Sequence, residues 1–108
     1  MKIFDCPYLD GIVELSAERE IHIASHHPDL VPEYVNQLAE TLQEPDEVRR
    51  SNRFSNARMF CRWFDSVRMG KFIVVVVISE GKASNRHWII TAYLSRKLTH
   101  GAIEWKKD

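Results

Sequence analysis

The sequence predicts an α+β fold in which two N-terminal helices pack on a four-stranded antiparallel β-sheet. Helical periodicity is confined to residues 17–43, whereas β-branched and alternating segments fill residues 46–105. The length of 108 residues is that of one domain, and the 44% apolar content is enough for one hydrophobic core. We therefore expect a single domain spanning residues 1–108.

The first helix is predicted at residues 17–27. Ser16 is a suitable N-cap, and Pro28 ends the helix because the residue before a proline is pushed out of the α region. The second helix follows Pro32 and ends at Pro45. Its apolar residues are spaced for one buried face, and they are Val31, Tyr34, Val35, Leu38 and Leu42.

Four strands are predicted in the second half of the chain, at residues 48–54, 58–64, 72–78 and 86–97. The third is continuously apolar and β-branched, which indicates a central strand covered on both faces. A turn is expected at residues 80–85, and residues 102–105 form a short strand or a tail packed on the sheet edge.

The strand at residues 86–97 alternates between two kinds of side chain. Trp88, Ile90, Ala92 and Leu94 are predicted to face the helices, and His87, Ile89, Thr91, Tyr93 and Ser95 to share the other face, with Arg96 and Lys97 at the exit. The second face is suited to binding a phosphate. It is also typical of the solvated side of an ordinary half-buried sheet.

Charge is distributed unevenly along a chain whose formal net charge is zero. Residues 1–47 contain eleven acidic and two basic residues, whereas residues 48–108 contain thirteen basic and four acidic residues. Such asymmetry is a pointer to nucleic-acid binding. The alternative is that the acidic and basic halves neutralise each other within one compact domain.

Several classes of function lack their sequence signals. His22 and His26 are spaced to share a metal ion, but no cysteine pair or carboxylate supports them, so we expect neither a metal nor a cofactor. Nucleotide-binding glycine loops and the GxSxG hydrolase motif are absent. No signal peptide or membrane-length apolar run is found, and Cys6 and Cys61 are far apart, which favours a cytoplasmic protein with reduced thiols and no membrane partner.

The remaining His, Arg, Lys, Thr and Tyr residues fit metal-independent RNA cleavage. That reaction needs a base for the 2′-hydroxyl proton, an acid for the leaving oxygen and cations for the phosphorane charge. The catalytic candidates are His26 or His27 at the end of the first helix, with Thr91, Tyr93 and Arg62. The RNA-binding candidates are Arg49, Arg53, Arg58, Arg96 and Lys97.

Several short stretches together carry a resemblance to a known family, and they are Glu18-Arg19, His22-Ile23, His27-Pro28-Asp29-Leu30, residues 42–48, residues 72–77 and Thr91-Ala92-Tyr93-Leu94. Through them nearly the whole chain resembles small bacterial and phage-associated proteins of the barnase–EndoU–colicin–RelE nuclease superfamily. The resemblance implies an RNA-cleaving RelE/barnase-like domain. In it His27 corresponds to a helix histidine before Pro-Glu or Pro-Asp, His22 to another recurrent histidine, and Thr91 and Tyr93 to the closing T-A-Y strand. The chain departs from the family at Glu20, where an aromatic residue is expected, and in its neutral charge.

We therefore predict a toxin-like, metal-independent RNA endonuclease whose partners are RNA and a cognate antitoxin. Two alternatives stay open. One is a non-catalytic RNA- or protein-binding module with the same fold, and the other is an oligomer that buries its open sheet face in a dimer. The sequence leaves open the oligomeric state and which of His22, His26 and His27 is functional. The geometric test is whether His27 reaches Thr91 and Tyr93 across the edge of the sheet.

Overall fold

The computed structural model describes residues 1–81 and 86–108, which form two helices, one 3₁₀ turn and seven strands. In chain order these are β1 Lys2–Cys6, the 3₁₀ turn Pro7–Leu9, β2 Gly11–Leu15, α1 Ala17–His26, α2 Val35–Gln43, β3 Glu47–Arg50, β4 Ala57–Phe64, β5 Lys71–Ser79, β6 His87–Ser95 and β7 Ala102–Lys106. The turn expected at residues 80–85 includes residues 82–85, which lie outside the described part of the chain.

The strands of the described residues form one mixed sheet in the order β1-β2-β6-β5-β4-β3-β7. All neighbours are antiparallel except β2 and β6, which run parallel and pair through Glu14 and Trp88. The α+β class is confirmed. The predicted four-stranded antiparallel sheet with both helices at the N-terminus is wrong, because seven strands form the sheet and two of them precede α1.

The prediction lacked β1 and β2, which lie at one margin of the sheet, whereas β7, expected at residues 102–105 as a short strand or a tail on the sheet edge, is the edge strand at the other margin. Every residue of β7 is exposed, and most of β1 is exposed as well, so neither strand has the alternation that marks a half-buried strand. The β2–β6 and β3–β7 pairings also join segments that are distant in sequence, which a local pattern does not report. The central meander of β3, β4, β5 and β6 is the part that local periodicity predicts.

The two faces of the sheet are covered very differently. On the helix face, α1 and α2 bury the main core, which includes Phe60 and Val75 from the sheet with Ile23 and Leu38 from the helices. On the opposite, open face a smaller buried cluster consists of Met59, Cys61 and Val74. Partly buried side chains surround these three, namely Phe72, Val76, Tyr93 and Leu98.

A β-bulge in β6 reverses part of the predicted pattern. Val77 pairs with Ile89, and the preceding residue, Val76, pairs with Thr91. Ile90 is therefore the extra residue of the bulge. Ile89 consequently joins the helix-face core, although we expected it on the other face, and Trp88 lies outside that core. Beyond the bulge the alternation is as predicted, since Ala92 is buried on the helix face and Tyr93 lies on the open face.

The connection from β6 to β7, residues 96–101, crosses the open face, and we call it the crossing segment. Adjacent strands lie about 4.8 Å apart, so the four spacings from β6 to β7 amount to roughly 19 Å. The seven steps from Ser95 to Ala102 span at most roughly 25 Å, which leaves little slack. Leu98 anchors the segment on the open-face cluster. Gly101 ends it with φ +78°, where a Cβ would collide with the backbone oxygen of Arg50.

Candidate functional site

His27 and Tyr93 meet beside β6, along the part of the strand beyond its described pairing with β2 at Trp88. Ser16 begins α1 by accepting a hydrogen bond from the Arg19 N–H (3.1 Å), and His27 ends the helix by donating its backbone N–H to the Ile23 carbonyl (2.7 Å). Because α1 packs along β6, its C-terminal end lies level with Tyr93. The centroids of the His27 and Tyr93 rings are 6.1 Å apart, with the ring planes inclined by 40°.

Tyr93 stands between two neighbouring clefts on the open face. The first cleft has a volume of about 180 Å³, and its polar lining includes Arg49, Ser95, Lys97 and His100. The second has a volume of about 300 Å³ and is lined by Ser51, Asn52, Arg53, Phe54, Met59, Val76, Ile90, Thr91, Tyr93 and His100. Thr91 and Tyr93 therefore share the open face, as the sequence predicts. Burial, and then the Cys61 thiol beneath it, raise the pKa of Tyr93, so its phenol stays protonated at neutral pH.

Arg58 and Arg62 lie on the helix face, away from Tyr93. Arg58 donates from Nε to Glu104 Oε2 (2.8 Å). Arg62 donates to the backbone oxygen of Glu44 (2.9 Å), and its guanidinium lies 5.2 Å from the centroid of the Phe64 ring. The structure thus places Arg62, a predicted catalytic residue, and Arg58, a predicted RNA-binding residue, on the opposite face of the sheet from Tyr93, where both contact other parts of the fold.

Arg49 lies on the open face, but it has protein partners. It forms an ion pair with Glu47 and donates to the His100 carbonyl (3.2 Å), so it ties the crossing segment to β3. Arg53, Arg96 and Lys97 form no ion pair with any carboxylate of residues 1–81 and 86–108. The unpaired positive charge of the predicted set therefore comes from the 51–56 loop and from the crossing segment.

Ion pairs between the two halves of the chain neutralise much of the charge asymmetry. Within the described residues, five of the eight ion pairs join an acidic residue of positions 1–47 to a basic residue of positions 48–108. These pairs are Glu47–Arg49, Glu40–Arg62, Glu33–Arg68, Glu14–Arg86 and Asp46–Lys107. The basic surface that remains without an ion pair is consequently smaller than the sequence implies, and it includes Arg53 and Lys97.

Cys61 forms part of the wall of the first cleft. Its side chain is fully buried, and burial, followed by the Glu47 carboxylate, raises the pKa of the thiol to about 12. Because the thiolate is the nucleophilic form, Cys61 is an inert, packed thiol at neutral pH.

His22 and His26 stack on α1 with ring centroids 4.2 Å apart. Desolvation and then the neighbouring His26 lower the pKa of His22. No third metal-ligating side chain joins them among the described residues, where no group of three His, Cys, Asp or Glu side chains is placed to bind a metal ion.

Sequence reasoning missed Phe54, Asn52 and His100 as residues of this site. We predicted a strand through residues 48–54, but β3 ends at Arg50 and a loop at residues 51–56 follows. The stretch Ser51-Asn52-Arg53-Phe54-Ser55-Asn56 did contain a signal, because clustered Ser and Asn residues are typical of loops. An aromatic residue and an arginine in such a loop are candidates for ligand contact.

No protein-family model, no curated protein and no solved structure matches this chain. Neither helix of the described residues is long and apolar enough to cross a membrane.

Proposed function

We propose that this protein is a metal-independent RNA endonuclease that binds RNA on the open face of its sheet and uses His27 for proton transfer. The observation that carries the proposal is the meeting of His27 and Tyr93, with 6.1 Å between ring centroids, beside clefts bordered by the unpaired cations Arg53 and Lys97. A cytoplasmic location belongs to the same proposal because RNA is the substrate.

In the proposed reaction, His27 accepts the proton of a ribose 2′-hydroxyl. The resulting oxygen attacks the adjacent phosphorus, the bond to the 5′-oxygen breaks, and the departing oxygen takes a proton from solvent. The products are a 2′,3′-cyclic phosphate and a 5′-hydroxyl. Histidine suits this role because its ordinary pKa lies near neutrality.

Tyr93 and the cations supply the electrostatic part of the mechanism. The raised pKa of Tyr93 keeps a hydrogen-bond donor at the face, where it stabilises a phosphate oxygen as negative charge develops. Arg53 and Lys97 attract the RNA backbone and offset its charge. They take the part that the sequence assigned to Arg58 and Arg62, since those two arginines lie on the other face.

The test is cleavage of single-stranded RNA by the purified protein in EDTA, with detection of 2′,3′-cyclic phosphate ends. His27→Ala is expected to reduce the rate by about 10²–10⁴-fold, which is the usual contribution of a positioned acid–base group. His26→Ala is the matched control. His26 is the neighbouring histidine, it is exposed, and its Nδ1 already lies 2.9 Å from the His22 carbonyl oxygen, so its loss should change the rate by less than about twofold.

Two results would contradict the proposal. Intact RNA at high protein concentration would exclude the nuclease. Salt-sensitive RNA binding without cleavage would remove the catalytic role and favour the non-catalytic binding module instead.

A further inference from the structure

We propose that the second cleft is a subsite for one unpaired nucleobase, which stacks on the ring of Phe54 beside the phosphate contacted by Tyr93. This inference rests on the proposed function, since it assigns the nucleotide that the open face receives. It adds a specificity-determining residue, Phe54, and it restricts the substrate class to single-stranded RNA.

The loop at residues 51–56 holds a defined shape. The Ser51 hydroxyl accepts hydrogen bonds from the backbone N–H groups of Arg53 (3.1 Å) and Phe54 (3.3 Å). Arg50 donates from Nη2 to the Ser55 carbonyl (3.0 Å) and fastens the far side of the loop. These bonds fix the backbone on both sides of Phe54, so its ring is presented at the cleft rather than on a free chain.

Phe54 is 48% exposed, although the apolar floor of the cleft lies close by. The Arg53 guanidinium carbon lies 5.7 Å from the centroid of its ring. An exposed aromatic ring beside a guanidinium offers a π-face and a positive charge together. Proteins use that combination to stack unpaired bases and to contact the phosphate that follows them.

The remaining walls of the second cleft match a flat heterocycle. Met59, Val76 and Ile90 are apolar and line its base, whereas Asn52 and Thr91 contribute an amide and a hydroxyl that suit the polar edge of a base. Ile90, which lines this cleft, is the bulged residue of β6.

In this proposal the second cleft binds the base of a nucleotide and the first cleft binds its phosphate. The larger volume, about 300 Å³, lies on the Phe54 side, and the smaller, about 180 Å³, is lined by Arg49 and Lys97. A base fits the first environment and a phosphate the second. Tyr93 borders both clefts and so lies where base and phosphate would join.

Duplex RNA does not meet these requirements. Its bases are paired and stacked inside the helix, so none is free to enter a cleft bounded by the crossing segment and the 51–56 loop. A base in a loop or an extended strand can turn out of its stack, and the subsite therefore selects single-stranded RNA.

The experiment uses 2′-O-methyl oligoribonucleotides, which bind but lack the hydroxyl needed for cleavage. The fluorescent base 2-aminopurine is placed at each position in turn, because stacking on an aromatic ring quenches it. One position is expected to be quenched by the native protein. Phe54→Ala should abolish that quenching and weaken binding about tenfold, Phe54→Leu should behave in the same way, and Phe54→Trp should retain both.

Met69→Ala is the matched control, because Met69 is a fully exposed large apolar residue in the β4–β5 turn, at the opposite end of β4 from Phe54. It should leave quenching and affinity unchanged. Thermal unfolding of the variants shows whether each is folded, and the Leu and Trp replacements compare two bulky side chains that differ in aromaticity.

Unchanged quenching and affinity in Phe54→Ala, or equal binding of a hairpin duplex, would overturn the subsite. If His27→Ala still abolished cleavage in that case, the proposed function would stand without it. If the native protein neither bound nor cleaved RNA, both the subsite and the proposed function would be overturned.

Discussion

Basic residues have different roles on the two faces of the sheet. On the helix face, Arg58 and Arg62 are engaged by Glu104 and by the Glu44 carbonyl, above a continuous apolar core. On the open face, Arg53 and Lys97 border clefts over a small apolar cluster and have no described carboxylate partner. The contrast teaches that the role of an arginine depends on its face and its partners, and that counting basic residues overstates a binding surface.

The core of the helix face should show the largest effect on stability. Phe60→Ala is expected to lower the free energy of unfolding by about 3–5 kcal/mol, because it removes a fully buried aromatic side chain. Phe54→Ala on the open-face side should change it by less than about 0.5 kcal/mol. Urea denaturation measures both values, and similar losses for the two variants would contradict the division between the faces.

A smaller effect is expected from the polar network on the helix face. Glu104 accepts hydrogen bonds from Tyr8 (2.5 Å) and Arg58 (2.8 Å). Burial alone would raise the pKa of Glu104, but these bonds outweigh it and lower the pKa below its ordinary value of 4.5. Burial, and then the Glu104 carboxylate, raise the pKa of Tyr8 to about 12.

Glu104→Gln should therefore cost about 1–2 kcal/mol at pH 7. Because the pKa of Glu104 is lower in the folded protein than in the unfolded chain, its ionised carboxylate stabilises the fold above the unfolded-state pKa. That stabilisation is lost as the pH falls through the folded-state pKa. The difference between native protein and variant should accordingly shrink as the pH drops below 4.5. Denaturation at several pH values measures it, and a difference that grew under acid would contradict this account.

The smallest effects on folding and the clearest effects on RNA are expected from the free cations. Arg53→Gln and Lys97→Gln should each reduce the slope of log affinity against log salt by about 0.7, because each removes one phosphate contact with a single strand. Fluorescence anisotropy over a range of salt concentrations measures the slope.

Arg62→Gln is the control on the helix face, where the native side chain already has protein partners. It should leave the salt slope unchanged. An equal loss of slope in Arg62→Gln would mean that RNA also contacts the helix face.

Local patterns predicted the central part of the fold but not the two strands at its N-terminal margin, β1 and β2. α1 was expected at residues 17–27 and spans Ala17–His26, and the apolar strand expected at residues 72–78 is β5, Lys71–Ser79. These elements have strong periodicity or clear caps. β1 and β2 were not predicted, because β1 is mostly exposed and β2 pairs with β6 over long range. β7 was expected only as a short strand or a tail, because it is fully exposed and its partner β3 is distant in sequence.

The site was predictable only in part. The bulge adds one residue to β6, and no sequence pattern marks it. Because Ile89 and Ile90 are both apolar, the sequence does not show which of them faces the helices. The meeting of His27 with Tyr93 depends on how α1 packs along β6, which no spacing encodes. In contrast, the face on which Arg58 and Arg62 lie was predictable, because side chains two apart in a strand share a face and both arginines alternate with Phe60 and Phe64.

The crossing segment gives the two clefts a stability that differs from that of the core. Its far end is secured by β7, an exposed edge strand that pairs only with β3 among the described strands. Such a strand is expected to open by local unfolding at a lower free energy than the centre of the sheet. Each opening would dismantle the shared wall of both clefts while the helix-face core stayed folded. The fraction of molecules with a complete open face is therefore set by the fraying of β7, and hydrogen exchange at its amides would report that population.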